Sequence, residues 1–247
     1  MSLRLKEGAF LLGDAHYSNL RPQLEDFLQD IKSKKLNPTQ LILCGDIFDA
    51  LFGGIYITKE VNKIVINLIN DISYEIEIIY LEGNHDFNLK AIFPNVKIFS
   101  ISKQPVEFEY NNKKVLLAHG DIKTSFLYDL YTISARNKFI LFLLNILNNL
   151  TNNKIMQKLN NYLAKKEDCN NFSGFDNFIK SRLKGIYKCD YFIEGHFHQN
   201  KRVKFDDFLY INLASFACNQ RYFTVKSSED LELMEEIYLK GDVYGTS

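Results

Sequence analysis

The sequence predicts a mixed α/β fold, and three observations carry that expectation. First, short apolar runs recur along the 247 residues and stop at Gly followed by a polar or ionisable residue: AFLLGD, LILCGD, IEIIYLEGN, VLLAHGD and YFIEGHFH. β-Branched and aromatic content with an abrupt Gly stop is the pattern of a buried strand. Second, Leu24, Phe27, Leu28 and Ile31 recur at helical spacing between the first two runs, with Pro38 past the end, so the chain opens as a β-α-β unit. Third, VNKIVINLINDIS and SGFDNFIKSRLKG have helical periodicity, VEFEY-NNKK-VLLAH has the form of a hairpin, and FLYINLAS and RYFTV read as late strands. In open α/β sheets functional groups gather where loops leave the carboxyl ends of strands. The Gly-flanked Asp, Asn and His residues of this chain stand at those ends.

The length and a 46% hydrophobic composition suffice for a substantial core, and the expectation is one domain over residues 1–247 carrying an insertion. The insertion is expected over 122–188, where the chain turns helical, Asn-rich and basic. Between 121 and 188, 11 Lys and Arg face 5 Asp and Glu, a local excess of +6 in a chain whose 30 basic and 30 acidic residues cancel. The same stretch holds the apolar run FILFLLNIL at 139–147. Two readings of it stay open: the core seam of a helical hairpin, or a surface for acyl chains. Lys154, Lys158, Lys165 and Lys166 likewise read either as a solvated face or as a grip on phosphate.

Overall neutrality gives no reason to expect nucleic acid as a partner. Cys44, Cys169, Cys189 and Cys218 show no C-x-x-C spacing and no dense framework, so they are expected to be reduced thiols of a cytoplasmic protein. The opening apolar stretch is too short for a signal peptide, and no segment approaches the roughly 20 apolar residues that span a bilayer. Export and membrane insertion are therefore not expected, while the basic insertion is suited to peripheral contact with the inner face of an anionic membrane.

The five histidines, His16, His85, His119, His196 and His198, all fall at expected strand ends. A single histidine in such a place is more often a hydrogen-bonded or solvated imidazole than a ligand. Here they stand in Asp14-Ala15-His16, Gly45-Asp46-Ile47-Phe48-Asp49, Gly83-Asn84-His85-Asp86, His119-Gly120-Asp121 and Gly195-His196-Phe197-His198, and clustered His and Asp mark ligands. A pair of divalent ions needs hard oxygen to bridge them and neutral imidazole to complete each shell. Asp14 with His16, and His196 with His198, are spaced i and i+2, which on extended chain puts both side chains on one side.

The order D-x-H, G-D-x-x-D, G-N-H-D, a lone H and G-H-x-H resembles the calcineurin-like metallophosphoesterase superfamily over residues 14–198. The resemblance implies a sandwich of two mixed β-sheets flanked by helices (α/β/β/α), here with a helical cap insertion, and a hydrolase that attacks a phosphoester with a metal-bound hydroxide. It implies that Asp14, His16, Asp46 and His198 hold one ion and Asp46, Asn84, His119 and His196 the other, so that Asp46 bridges. Mn²⁺ is the first choice, and Zn²⁺, Fe and Mg²⁺ suit the same donors. His85 would face the phosphate oxygens and stabilise or protonate the leaving oxygen, acting with Asp46 and Asn84 at the catalytic centre. Asp49 is either an acceptor that orients a ligand histidine or a helix N-cap.

The helical insertion between the lone histidine and G-H-x-H is similar to that of the UDP-2,3-diacylglucosamine hydrolases of lipid A synthesis. The stretch with Tyr128, Tyr131 and Arg136 is similar to their aromatic and arginine-bearing segment. That similarity implies a nucleotide-sugar lipid as substrate, cleaved at its pyrophosphate to UMP and a lipid phosphosugar, with Asp121 and Arg136 in substrate binding. The sequence departs from the best-known branch at His85, where that branch has Arg, and at GHFHQN, where it has G-H-T-H-R-P. The competing expectations are a soluble phosphodiesterase or phosphatase acting on nucleotides or other phosphoesters, and a metal-free interaction scaffold. The complete ligand set speaks against the scaffold.

Overall fold

In a computed structural model of the chain, the described residues are 3–122, 126–166, 168–226 and 233–238. The chain starts with β1 (Leu3–Arg4), β2 (Phe10–Leu12), α1 (Gln23–Lys32), β3 (Gln40–Leu43), β4 (Leu51–Phe52), α2 (Tyr56–Val61), α3 (Lys63–Ile72) and β5 (Glu77–Leu81). It continues through β6 (Asp86–Phe87), β7 (Lys97–Phe99), β8 (Val106–Tyr110) and β9 (Lys113–Ala118). Four helices follow, α4 (Phe126–Ala135), α5 (Lys138–Leu150), α6 (Lys154–Leu163) and α7 (Phe175–Leu183). Next come β10 (Tyr191–Glu194), β11 (Lys201–Lys204), β12 (Leu209–Asn212), α8 (Phe216–Asn219), β13 (Arg221–Val225) and β14 (Met234–Tyr238).

Two six-stranded mixed sheets, ordered β14-β13-β2-β3-β5-β7 and β1-β8-β9-β10-β12-β11, form the body. Strands β2, β3, β5 and β7 run parallel in the first, and β9, β10 and β12 in the second. Because successive side chains of a strand point to opposite faces, each strand feeds two cores. Leu11, Ile42 and Ile79 meet Val115, Leu117, Ile193 and Ile211 between the sheets. On the outer face of the first sheet, Phe10, Leu12, Leu41, Leu43 and Tyr80 pack with Leu24, Phe27 and Leu28 of α1 and with Val65 and Ile69 of α3. On the outer face of the second, Leu116, Phe192 and Tyr210 pack with Phe175, Ile179 and Leu183 of α7. The layers are helix, sheet, sheet, helix, as the motif order implies.

Local signals hold up well. The four apolar residues spaced along α1 are its buried face. The β8–β9 hairpin turns on Asn111 and Asn112, both at positive φ (47° and 59°), the conformation a two-residue type I′ turn requires.

The region between β9 and β10 is helical, but its helices do different work. Phe175, Ile179 and Leu183 recur every four residues on α7 and seal the outer face of the second sheet, so α7 belongs to a flanking layer rather than to a cap. Helices α5 and α6 form a smaller cluster in which Leu141, Met156 and Leu163 join Ala50, Ile55 and Phe87. Of the apolar run at 139–147 Leu141 is buried, whereas Phe139, Ile140, Phe142, Leu143, Ile146 and Leu147 are exposed, Phe139 by 67%. Two asparagines share the inward side with Leu141 and Leu144. Buried Asn148 donates to Asn153 and accepts the Met156 N–H, and Asn145 accepts the Tyr56 N–H. The run is therefore not a continuous core seam.

Cys169 and Cys218 form a disulfide with Cα atoms 5.7 Å apart, which corrects the expectation of four reduced thiols and removes its support for a cytoplasmic location. The pair is 49 residues apart in sequence and meets only because the end of the helical region folds back onto α8. Cys44 and Cys189 are free. Among the described residues no helix is long and apolar enough to cross a membrane.

Candidate metal centre

Every candidate ligand follows the carboxyl end of a parallel strand. Asp14 and His16 follow β2, Asp46 follows β3, Asn84 and His85 follow β5, His119 follows β9, and His196 and His198 follow β10. The two sheets deliver these ends to one edge of the sandwich, where Asp14 and His119 are fully buried and His16 and Asp46 nearly so. The backbone there is not extended. Asp14, His16, Asp46, His196 and His198 all adopt left-handed φ values between 44° and 64°. The i, i+2 pairs thus converge through consecutive tight turns and not through strand alternation, a conformation that Asp and His tolerate better than most residues and that clusters at functional sites. The neighbouring glycines leave room for this: a Cβ on Gly83 would strike the Asp46 carboxylate, and one on Gly195 would strike that of Asp14.

The histidine rings are oriented from behind. His119 Nδ1 donates to the Cys44 carbonyl at 3.0 Å, which turns Nε2 toward Asn84 Oδ1 at 3.2 Å and Asp46 Oδ2 at 3.4 Å. His198 Nδ1 donates to the Asp168 carbonyl at 2.5 Å, which turns Nε2 toward Asp14 Oδ1 at 3.1 Å. A ring whose proton sits on Nδ1 presents a lone pair at Nε2, so in both places a lone pair confronts oxygen lone pairs. Only a proton or a cation between them makes that arrangement favourable.

His16 makes the same point differently. It is buried with neither ring nitrogen hydrogen-bonded, and its Nδ1 lies 3.4 Å from Asp49 Oδ1, an ion-pair distance without hydrogen-bond alignment. An unsatisfied buried polar atom costs about 1–3 kcal/mol, a cost that coordination removes. Three trios, Asp14/His16/His198, His16/Asp46/His85 and Asp46/His119/His196, each have donor atoms within 4.8 Å of one another. The residues present therefore fit a pair of divalent cations, and Asp46 is common to two of the trios.

Electrostatics agree. Burial would lower the His198 imidazole, but Asp14 beside it lifts it to about 9. Burial and the neighbouring His119 push His196 down to about 3, so it is a neutral imidazole. Burial opposes ionisation of Asp46, yet His119 and His85 hold its carboxyl well below the usual range.

His85 sits at the rim of this cluster, 9% exposed. Its backbone N–H donates to Asp46 Oδ1 at 2.8 Å and its Nδ1 donates to the Asp49 carbonyl at 2.8 Å, leaving Nε2 uncommitted. Asp49 caps no helix, since the next one, α2, starts at Tyr56; its carboxylate faces His16 and, at 3.8 Å, Arg21. Asp121 and Arg136 come together at 3.4 Å, and Arg136 also donates to the Gly83 carbonyl at 2.9 Å, directly before Asn84. The Tyr128 hydroxyl lies 3.5 Å from Asp121, and the Tyr131 side chain falls outside the described residues.

Sequence reasoning assigned no role to several residues that build the centre. Asp86 accepts the backbone N–H groups of Asp46, Ile47, Phe48 and Gly83 and the Tyr80 hydroxyl. Asn212 donates to the Glu194 and Gly195 carbonyls, and Gln104 accepts the His119 N–H. Asp86 was visible as the last letter of its motif, whereas Asn212, Gln104 and Asp168 carry no local signal.

A sequence model of the family described as calcineurin-like phosphoesterase matches residues 10–200. A UDP-2,3-diacylglucosamine hydrolase of Psychromonas ingrahamii is 25% identical over 112 residues, covering 44% of this chain and 46% of that protein, so the chain spans less than half the length of the curated relative it matches. Among solved structures, a novel archaeal phosphodiesterase is 17% identical with a TM-score of 0.46, and the phosphoesterase Yfce of E. coli is 13% identical with a TM-score of 0.47. Each likeness covers 94% of this chain and 99% of the other. The chain belongs to the calcineurin-like phosphoesterase family.

Proposed function

We propose that this calcineurin-like phosphoesterase hydrolyses the pyrophosphate of UDP-2,3-diacylglucosamine, releasing UMP and a lipid phosphosugar. The observation that carries the reading is α5, whose leucine- and phenylalanine-rich face is exposed while Asn145 and Asn148 turn inward. Its inner residue Leu141 shares a cluster with Phe87, two residues past His85. The stretch 130–166 around it holds six Lys and Arg and no Asp or Glu. An apolar face within a purely basic region suits a substrate with acyl chains and phosphates presented at an anionic membrane surface. The partial likeness to a UDP-2,3-diacylglucosamine hydrolase supports the same reading. Helices α4 to α6 are then the cap over the centre, in peripheral contact with the membrane.

In this reading Asp14, His16, Asp46 and His198 hold one divalent ion and Asp46, Asn84, His119 and His196 the second. The all-nitrogen-and-oxygen donor set suits Mn²⁺ first. Such ions, when bound, lower the pKa of a coordinated water and neutralise phosphoryl oxygens. The chain's own groups do the rest. His85, held through Nδ1, turns Nε2 to the phosphate, where its protonated form donates to the leaving oxygen. Arg136, fixed to Gly83 and Asp121, presents positive charge beside Asn84, and the buried carboxylates hold the imidazoles in register. The test is release of UMP from UDP-2,3-diacylglucosamine by the purified, Mn²⁺-supplemented protein, followed by chromatography. Cleavage of a small chromogenic phosphodiester without any UMP from the lipid would return the function to a phosphodiesterase acting on nucleotides or other phosphoesters.

A further inference from the structure

The Cys169–Cys218 disulfide joins two segments that support one half of the metal centre. At one end, Cys169 directly follows Asp168, whose carbonyl receives His198 Nδ1 at 2.5 Å. The Asp168 carboxylate is itself buried and held by Arg21 at 2.9 Å and Lys166 at 3.2 Å. Gln199, next to His198, ties the same segment again: its amide donates to the Asn170 carbonyl at 3.0 Å and accepts the Phe172 N–H at 2.7 Å. At the other end, Cys218 lies in α8, whose first residues support Asp14. The Ser215 hydroxyl and the Ala217 N–H both donate to the Asp14 carbonyl, at 2.8 Å and 3.1 Å. The two residues steadied in this way, His198 and Asp14, face each other at 3.1 Å.

The other half is held differently. His119 is oriented by the Cys44 carbonyl and the Gln104 side chain, groups that belong to the body of the sandwich. The segment carrying Asp168 closes a long, helical excursion, so without the crosslink its position rests on the Arg21 and Lys166 ion pairs to Asp168 and the hydrogen bonds to Gln199.

Resting on the metal-centre reading above, we propose that the disulfide is a positioning lock for the Asp14/His16/His198 half-site. Cation retention there then follows the redox state of Cys169 and Cys218. The lock acts by holding the Asp168 carbonyl against His198, so that the imidazole keeps its tautomer and aim. Loss of such a supporting partner typically weakens metal affinity by about 10–100-fold, and a crosslink that keeps the segment in place removes the entropic cost of ordering it on binding.

The experiment uses a non-chelating phosphine as reductant. The S–S bond breaks, phosphorus is oxidised to the phosphine oxide with oxygen from water, and the two protons of that water complete the two thiols. Thiol titration after denaturation checks the chemistry: two free cysteines before reduction and four after. Metal content by elemental analysis and chelator competition are then measured on oxidised protein, reduced protein and C169S/C218S, with far-UV circular dichroism to confirm the fold. The expected result is that one of the two ions binds about 10–100-fold more weakly after reduction, that the other is unchanged, and that reoxidation restores the first. If C169S/C218S does not fold, protein reduced after folding supplies the same comparison. Unchanged affinity for both ions in the reduced, folded protein overturns the lock, as does equal weakening of both. Oxidised protein that binds no divalent ion overturns the metal-centre reading along with it.

Discussion

The Asp86 carboxylate accepts the backbone N–H of Asp46 at 3.1 Å, across 40 residues of sequence, and so holds a residue shared by two ligand trios in its left-handed turn. The same carboxylate receives three further backbone N–H groups and the Tyr80 hydroxyl. In Asp86→Asn one oxygen becomes an NH₂ donor, and at least two buried donors lose their acceptor. At about 1–3 kcal/mol for each, the variant is expected to be destabilised by about 3 kcal/mol in urea unfolding and to bind divalent ions more weakly. A variant as stable as the parent would show that this carboxylate does not organise the turn.

Asp46 and His85 should separate metal binding from chemistry. Asp46→Ala removes a donor from two trios, so turnover should vanish and metal content should fall together. His85→Ala should lower kcat by about 10²–10⁴-fold while elemental analysis finds the metal nearly intact, because its ring nitrogen Nδ1 is committed to Asp49 and its role is in the transition state. Loss of an ion in His85→Ala would instead make it a ligand, as the His16/Asp46/His85 trio allows.

Exposed apolar residues of α5 offer a test of the lipid reading that leaves the fold alone. Phe142 and Leu147 are 58% and 54% exposed, and changing surface residues usually shifts stability by less than about 0.5 kcal/mol. Phe142→Gln with Leu147→Gln should reduce UMP release from the lipid substrate by about tenfold or more, as loss of bound apolar area implies, and leave a small chromogenic phosphodiester unaffected. Equal loss on both substrates would show that the helices had unfolded.

Away from the centre, Glu77 predicts an acid dependence of stability. Burial alone would raise its pKa, but Lys97, Lys6 and Gln40 hold it down to about 2. A carboxyl with a folded-state pKa below its unfolded value stabilises fully above the ordinary carboxylate range, and that contribution disappears as pH falls toward 2. Solvent screening keeps it near 1 kcal/mol. Glu77→Gln should therefore be less stable than the parent by about 1 kcal/mol at neutral pH, with the gap narrowing as the pH is lowered from about 4.5 toward 2 in denaturant titrations. A gap independent of pH would show that packing, not charge, is what Glu77 contributes.

Much of the fold and of the candidate site was legible in order along the chain. Phe10, Leu12 and Leu11 read as strand before they were seen to feed two cores, and Leu24, Phe27, Leu28 and Ile31 read as one face of a helix and are buried as one. These are statements about neighbours in sequence, where periodicity and turn chemistry act directly. The candidate ligands were legible for a related reason: each sits a few residues beyond a strand, so the strand's own apolar run marks its place.

What the tertiary structure alone decided is how distant segments meet. The left-handed turns at Asp14, His16, Asp46, His196 and His198 replaced the extended geometry expected from their spacing, because each turn is held by groups from another strand, as Asp86 holds Asp46. Helix α5 turned most of its apolar run outward while Asn145 finds a hydrogen-bond partner in Tyr56 and Asn148 finds its partners in Asn153 and Met156. The Cys169–Cys218 disulfide and the Asp168–His198 hydrogen bond join residues 49 and 30 positions apart. Local propensity extends over a few residues, while hydrogen bonds and crosslinks are satisfied wherever packing brings their atoms together, so the sequence determined the strands, helices and candidate donors and the packing determined how they are aimed.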